Sequence, residues 1–225
     1  MKWWRGSAGW SWHRDAARGV TVDPLRLAVL VSGRGSNLGA ILDACRREEF
    51  PARVAVVVSD RNAPALDRAT REGVAAVFVD PKAHEDRATY DGALLATLDR
   101  YRPGLVCLAG FMRLLTPAFV RAWAGRLLNI HPSLLPAFPG LHPQRQALAY
   151  GVKVAGATVH FVDEGVDTGP VILQASVPVR PDDTEDSLAA RILVEEHRLY
   201  PEAIRLFAEG RLVIAGRRVV AKENP

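Results

Sequence analysis

The stretch Leu127-Leu-Asn-Ile-His-Pro-Ser-Leu-Leu-Pro136 organises the rest of the chain. It begins as a short apolar run, typical of a buried strand, and Pro132 predicts that the strand ends there because proline cannot donate to a central ladder. Asn129 and His131 are two residues apart, so in extended chain both side chains point to the same face. An amide and an imidazole at the carboxyl end of a parallel strand lie where open α/β sheets bind their ligands. Taken alone, the pair could equally be two buried residues that satisfy backbone groups.

The composition is that of an ordinary globular protein. Its 225 residues suffice for one hydrophobic core, with 48% hydrophobic and 24% charged residues. No apolar run reaches the roughly 18 residues of a membrane span. Cys45 and Cys107 show no metal-ligand spacing, so we expect a reduced cytoplasmic protein without a metal. The net charge of +4 suits an anionic ligand, but the basic residues are too scattered to indicate nucleic acid.

Residues 1–23 differ from the rest of the chain. They contain four tryptophans interrupted by Arg, Gly and Ser, with neither a helical nor a strand period and no continuous apolar segment. We interpret them as a disordered extension before a single domain at 24–225. An arm of Trp and Arg that binds RNA is the alternative.

A glycine-rich loop follows the first predicted strand, Leu25–Val31. The loop Ser32-Gly-Arg-Gly-Ser-Asn37 leads into a predicted helix at 38–47. Strand, glycine loop and helix together favour phosphate, because glycines let the backbone approach and the helix N–H groups face the anion. Leu38 stands where a dinucleotide fingerprint has its third glycine, and Asp60 supports that interpretation only weakly. Ser36 and Asn37 better suit a terminal phosphate monoester, although an ordinary βα turn stays open.

The remaining pattern alternates strands and helices and then changes. Strands are predicted at 53–59, 75–79 and 105–109, and helices at 65–72, 86–99 and 117–123. Past Pro136, residues 154–162 alternate as a half-solvated antiparallel strand would. A strand at 171–177, a helix at 187–209 and a hairpin at 211–220 follow. This order predicts an α/β fold with a doubly wound, mostly parallel sheet and an antiparallel C-terminal portion.

Two further features stand out in this pattern. Arg87 lies in the first turn of a predicted helix, where the helix dipole disfavours a cation, although a solvated arginine is the simpler interpretation. The apolar loop Gly110-Phe-Met-Arg-Leu-Leu115 leaves the carboxyl end of the fourth strand. It could be core or the wall of a site for a planar ligand.

Six motifs occur in an order that resembles a known family. The motifs are Ser32-Gly-Arg-Gly-Ser-Asn-Leu38, Leu108-Ala-Gly-Phe-Met-Arg113, Asn129-Ile-His-Pro-Ser-Leu-Leu-Pro136, Pro139-Gly-Leu-His142, Val159-His-Phe161 and Asp167-Thr-Gly-Pro170. Together, from about residue 25 to residue 212, the chain resembles the phosphoribosylglycinamide formyltransferases, the folate-dependent GAR transformylases of purine synthesis. The Asn-x-His pair with a distant Asp is shared by 10-formyltetrahydrofolate enzymes in general, and the glycine loop narrows the resemblance to this branch.

The resemblance implies a Rossmann-like formyltransferase fold and a set of site residues. The formyl group of 10-formyltetrahydrofolate would pass directly to the amine of 5-phosphoribosylglycinamide, with no metal. The expected partners are these small molecules, with neither nucleic acid nor membrane, and the enzyme would be a monomer or homodimer. The implied residues are Asn129, His131 and Asp167 for catalysis; Gly35, Ser36 and Asn37 for phosphate; Glu196 for ribose; and Arg87, Met112, Arg113, Leu114, Leu115 and Asn129 for folate. The chain departs from some members at Gln144, where they have histidine, and at Leu193, where they have a polar residue.

These residues suit the chemistry of formyl transfer. Asn129 and a protonated His131 can each donate to the negative oxygen of a tetrahedral intermediate. Asp167 is expected to raise the pKa of His131 and to relay the amine proton. A formyltetrahydrofolate hydrolase would use the same three residues but is expected to carry an added regulatory domain. A methionyl-tRNA formyltransferase would need a tRNA-binding domain after residue 212, and a non-catalytic nucleotide-binding module would leave the three residues without a joint purpose.

Overall fold

A mixed sheet of nine strands forms the centre of the computed structural model, which describes residues 23–223. The strands are β1 (Leu25–Val31), β2 (Ala52–Ser59), β3 (Ala75–Phe78), β4 (Leu105–Leu108), β5 (Leu127–His131), β6 (Val154–Phe161), β7 (Val171–Pro178), β8 (Leu212–Ala215) and β9 (Arg218–Ala221). Their order is β3-β2-β1-β4-β5-β6-β7-β9-β8. The first five strands are parallel, β6 runs antiparallel to both β5 and β7, and β7 is parallel to its other neighbour, β9. This confirms the predicted fold class.

In the described part of the chain six α-helices cover the sheet: α1 (Ser36–Cys45), α2 (Pro64–Arg71), α3 (Arg87–Tyr101), α4 (Pro117–Ala122), α5 (Pro143–Tyr150) and α6 (Glu185–Ala208). One apolar core joins the sheet to α1, α2, α5 and α6, and a second joins the opposite face to α3 and α4. The chain therefore changes faces between β1 and β4. In such sheets the crevice at this switch point is where ligands bind.

Local signals fix where the long helices begin. Asp86 caps α3 by accepting a hydrogen bond from Thr89 N at 2.8 Å, and both residues form a capping box. Thr184 and Ser187 form the same box at α6, which adds two acidic residues in its first turn. The predicted element bounds differ from the observed ones by about two residues or fewer, which is the usual uncertainty at helix ends.

The prediction for β6 was wrong in one respect. This strand is antiparallel as expected, but it is buried on both faces rather than half-solvated. Its apolar side chains pack in the core that contains α6. On the other face, the hydroxyl of Thr158 donates to Ser133 O at 2.6 Å and accepts from Leu135 N at 3.1 Å. The chain that follows β5 thus folds back over β6 and excludes water.

The prediction of a disordered extension at 1–23 lies almost wholly outside the described residues. Within residues 23–223, no helix is long and apolar enough to cross a membrane.

Candidate active site

A polar cluster lies at the carboxyl end of β5, where the sequence predicted it. Asn129 and His131 share one face of the strand, and Asp167 joins them from the loop between β6 and β7. His131 Nδ1 is 3.4 Å from Asp167 Oδ2, and Asn129 Nδ2 is 3.5 Å from Asp167 Oδ1. His131 is 5% exposed. The three residues implied by the resemblance therefore meet in one place, although 36 residues separate His131 from Asp167 in the sequence.

Main-chain groups of one loop hold both members of the His131–Asp167 pair. His131 Nε2 donates to Phe138 O at 2.9 Å, and Gly140 N donates to Asp167 Oδ2 at 2.8 Å. Phe138 and Gly140 both have positive φ, at 54° and 78°. Because Nε2 carries the proton that Phe138 O accepts, neutral His131 turns the lone pair of Nδ1 toward the carboxylate. Nδ1 is thus the atom at which His131 takes up a proton, forming an ion pair with Asp167.

The net direction of the His131 pKa differs from the expectation. Burial lowers the pKa of His131, and this outweighs the opposite effects of Phe138 O and of the Asp167 carboxylate. The carboxylate acts in the predicted direction, but the cost of charging a ring shielded from water is larger. Burial alone would raise the pKa of Asp167, yet His160, Gly140 N and His131 together hold that pKa below its usual value. Asp167 is thus ionised and His131 neutral near pH 7.

His160 belongs to this cluster and was missed by the sequence analysis, which placed it on a solvated face. It is 1% exposed and pairs across the sheet with Asn129. His160 Nδ1 donates to Phe161 O at 2.8 Å, so Nε2 is free to accept from Asn129 Nδ2 at 3.2 Å. The contact orients the amide so that an N–H of Asn129 points toward Asp167. Placing β6 beside β5 from the sequence would have brought this histidine into the site.

The glycine loop after β1 has the form expected of an anion site. Gly35 precedes α1 with φ of 73°, and a Cβ there would lie 2.8 Å from Ala65 Cβ, so only glycine fits. Ser36 is exposed at the first position of α1, where helix N–H groups are unpaired. Gly35 and Ser36 therefore lie at the N-terminus of α1, and their role in phosphate binding stays a prediction.

Asn37 is placed differently from its two neighbours. It is 8% exposed, and its Nδ2 donates to Glu196 Oε2 on α6 at 2.7 Å. Its Oδ1 is buried without a hydrogen-bond partner among the described residues. Burial raises the pKa of Glu196, and the hydrogen bond from Asn37 partly offsets this. The residues implied for phosphate and ribose are thus in direct contact, with the Asn37 side chain turned toward the ribose residue.

The apolar loop after β4 presents the predicted folate residues to solvent. Met112 and Leu114 are 62% and 61% exposed, unusual for large apolar side chains, whereas Arg113 and Leu115 are half-buried. Arg113 stacks on the ring of Tyr90, with Cζ 4.8 Å from the ring centroid. Arg87 is exposed at the start of α3, one helical turn before Tyr90.

These groups surround one edge of the sheet. The strands β1, β4 and β5 are consecutive neighbours, and their carboxyl ends carry the glycine loop, the apolar loop and the polar cluster. Adjacent strands lie about 4.8 Å apart, so β1 and β5 are separated by about 10 Å, within the length of a ribonucleotide. No group of three or more His, Cys, Asp or Glu among residues 23–223 is arranged to hold a metal ion.

Comparison with known proteins identifies the family. The formyl transferase family matches residues 25–204. The chain belongs to the formyl transferase family. Phosphoribosylglycinamide formyltransferase of Escherichia coli is 50% identical over 189 residues, which cover 84% of this chain and 89% of that protein.

Two further formyl transferase relatives define how much of a protein the match spans. Glycinamide ribonucleotide transformylase 1 of Symbiobacterium toebii has a similar structure, with a TM-score of 0.87 and 60% identity over 89% of this chain and 95% of that one. The trifunctional purine biosynthetic protein adenosine-3 of Drosophila melanogaster is 50% identical over 193 residues, which are 84% of this chain but only 14% of that protein. The formyl transferase unit described here is thus similar both to separate enzymes and to part of a larger chain.

Proposed function

We propose that this formyltransferase transfers the formyl group of 10-formyltetrahydrofolate to the amine of 5-phosphoribosylglycinamide. The observation that carries the proposal is the approach of Asn129 and His131 to within 3.5 Å of Asp167, at the same edge of the sheet as the glycine loop. A phosphate loop alone would suit many nucleotide-binding proteins, and the polar cluster alone would suit several formyl transferases. The two features lie at the carboxyl ends of β1 and β5, with only β4 between them, which supports a substrate that has both a phosphate and a reacting amine.

The ribonucleotide would extend from β1 toward β5. Gly35, Ser36 and the N-terminus of α1 bind its phosphate, with Asn37 at the same turn. Glu196, held by Asn37, accepts hydrogen bonds from the ribose hydroxyls. This leaves the glycinamide amine directed at the polar cluster, about 10 Å along the sheet edge.

The folate would occupy the side of the crevice formed by α3 and the apolar loop. Met112, Leu114 and Leu115 supply apolar contact for its planar ring, and Arg87 and Arg113 supply positive charge for its carboxylates. Asn129 borders both ligands, since it belongs to the polar cluster and pairs with Leu108, the last residue of β4, from which the apolar loop departs.

The chemistry follows from the hydrogen bonds of the cluster. The amine attacks the formyl carbon, a C–N bond forms, and the carbonyl oxygen becomes negative. The N–H of Asn129 that reaches Asp167 at 3.5 Å is beyond ordinary hydrogen-bond length and can turn to this oxygen. Asp167 receives the amine proton, and the unprotonated Nδ1 of neutral His131 accepts a hydrogen bond from it. The bond to the folate nitrogen then breaks as that nitrogen takes the proton. His131 donates to the oxyanion only when Nε2–H leaves Phe138 O.

The proposal includes the setting of the reaction. The enzyme acts in the cytoplasm on small-molecule substrates, without nucleic acid, as a monomer or homodimer. The test is an assay of purified protein with 10-formyltetrahydrofolate in the presence and absence of phosphoribosylglycinamide. We expect formylated ribonucleotide in stoichiometry with tetrahydrofolate, and none with His131→Ala. Consumption of the folate without ribonucleotide would indicate a hydrolase, formylation of methionyl-tRNA the tRNA enzyme, and binding without turnover a nucleotide-binding module.

A further inference from the structure

A hydrogen-bonded contact crosses the crevice between β1 and β4. Ser32 follows β1 directly, is 4% exposed and begins the glycine loop. Its N–H donates to Gly110 O at 3.1 Å, and its Oγ accepts from Met112 N at 2.9 Å. One buried serine therefore binds both the start of the phosphate loop and the first residues of the apolar loop.

The other end of the apolar loop is attached to α3. Asp91 Oδ2 accepts from Thr116 N at 2.6 Å, and Arg113 stacks on Tyr90. These contacts fix the loop to the helix that carries Arg87, on the folate side of the crevice. Ser32 fixes it to the ribonucleotide side. A shift of Ser32 would therefore change the position of Met112 while Thr116 stayed in place.

We propose that Ser32 is a positioning residue that couples the two substrate sites. Phosphate bound at the glycine loop restricts Ser32, and the Ser32 hydroxyl then holds the Met112 amide where the folate contacts the loop. The coupling is reciprocal: each ligand raises the affinity of the other by the same factor. This inference rests on the proposed function, because it assumes that phosphate and folate occupy these loops.

Equilibrium binding of phosphoribosylglycinamide and tetrahydrofolate measures this coupling, since tetrahydrofolate has no formyl group to transfer. In the wild-type protein, each ligand should lower the Kd of the other by about fivefold or more. Ser32→Ala keeps the backbone hydrogen bond to Gly110 but removes the acceptor of the Met112 amide. The Kd of each ligand measured without the other, divided by its Kd measured with the other, should then approach one.

Ser59→Ala is the matched control. Ser59 is 0% exposed at the carboxyl end of the adjacent strand β2. Among residues 23–223 its hydroxyl accepts only from Arg61 N, at 3.3 Å, within its own loop. This variant should retain the wild-type ratio. A general loss of stability would weaken the binding of both ligands in both variants. It would not bring the ratio of Kd values to one in Ser32→Ala while leaving that ratio unchanged in Ser59→Ala.

Hydrogen exchange of the wild-type protein gives a second test that needs no variant. Phosphoribosylglycinamide alone should slow exchange of the Met112 amide, because that amide is hydrogen-bonded to the Ser32 hydroxyl. Unchanged exchange at Met112, a wild-type Kd ratio near one, or a full ratio in Ser32→Ala would each overturn the inference alone. Failure of either ligand to bind the wild-type protein would refute the proposed function as well.

Discussion

Asn129→Ala should reduce catalysis far more than stability. In the resting protein the Asn129 amide makes one ordinary hydrogen bond, to His160 at 3.2 Å, and one long contact, to Asp167 at 3.5 Å. The net value of such a hydrogen bond is about 0.5–1.5 kcal/mol, and the long contact adds little. In the transition state the same N–H would face a developing negative charge in a site shielded from water. Loss of one such donor costs about 10²–10³ in kcat, or roughly 2.7–4 kcal/mol.

The assay separates these two magnitudes. Urea unfolding gives the change in the free energy of unfolding, and initial rates at saturating concentrations of both substrates give the change in kcat. Binding of tetrahydrofolate and phosphoribosylglycinamide should persist. Asn62→Ala is the control, because Asn62 is exposed in the loop after β2 and should leave both quantities unchanged. A fall in kcat of less than about tenfold in a folded Asn129→Ala protein that binds both ligands would refute the role of Asn129 as an oxyanion donor.

Four other predictions concern ionisation and ligand binding. Asp167→Asn should lower the pKa of His131 in an NMR titration, since the carboxylate favours the imidazolium. The kcat of the double variant His131→Ala/Asp167→Asn should be little lower than that of His131→Ala, because residues that act as a unit have non-additive effects. The pKa of His131 is below 6.5 in the folded protein, so at mildly acidic pH the unfolded chain binds more protons than the folded one. The free energy of unfolding should therefore fall as pH drops below about 6.5, and it should fall less in His131→Asn. Ser36→Ala should weaken phosphoribosylglycinamide binding by about 10- to 150-fold, because it removes a hydrogen bond to the phosphate. Asn37→Ala should weaken the same binding because it releases Glu196. Neither variant should change tetrahydrofolate binding alone, and loss of folate affinity would assign the loop to the other ligand. Asn37→Ala should also raise the pKa of Glu196 further, measured by carboxyl NMR.

The sequence predicted those elements whose local pattern and environment agree. Residues 25–31 are apolar nearly throughout, and β1 lies between two strands with its last five residues fully buried. The prediction that one face of β6 is solvated was wrong because the polar residues Thr158 and His160 alternate with apolar ones as if they faced water. In the fold they are paired with other polar groups instead, and which groups those are depends on a strand neighbour and a covering loop distant in sequence.

The site was predictable to a similar extent. The spacing of Asn129 and His131 within one strand was enough to place them on one face, and the glycine loop indicated phosphate. Asp167 came only from the resemblance, since no periodicity relates it to β5. The contact between Asn37 and Glu196 spans 159 residues. The lowered pKa of His131 depends on how deeply the ring is buried. The identity of Asp167 as a charged partner does not reveal that burial.

The groups that hold His131 and Asp167 are a carbonyl of Phe138 and an amide of Gly140, both from the main chain. Replacing the Phe138 side chain leaves its carbonyl in the polypeptide, so alanine at that position would overlook the contact, whereas Gly140, with φ of 78°, disfavours any side chain. Loop length is a different matter. Insertion or deletion of a single residue between Pro132 and Gly140 would displace both anchors at once. Over evolutionary time, this segment should therefore vary more readily in its side chains than in its length, with Gly140 as the exception.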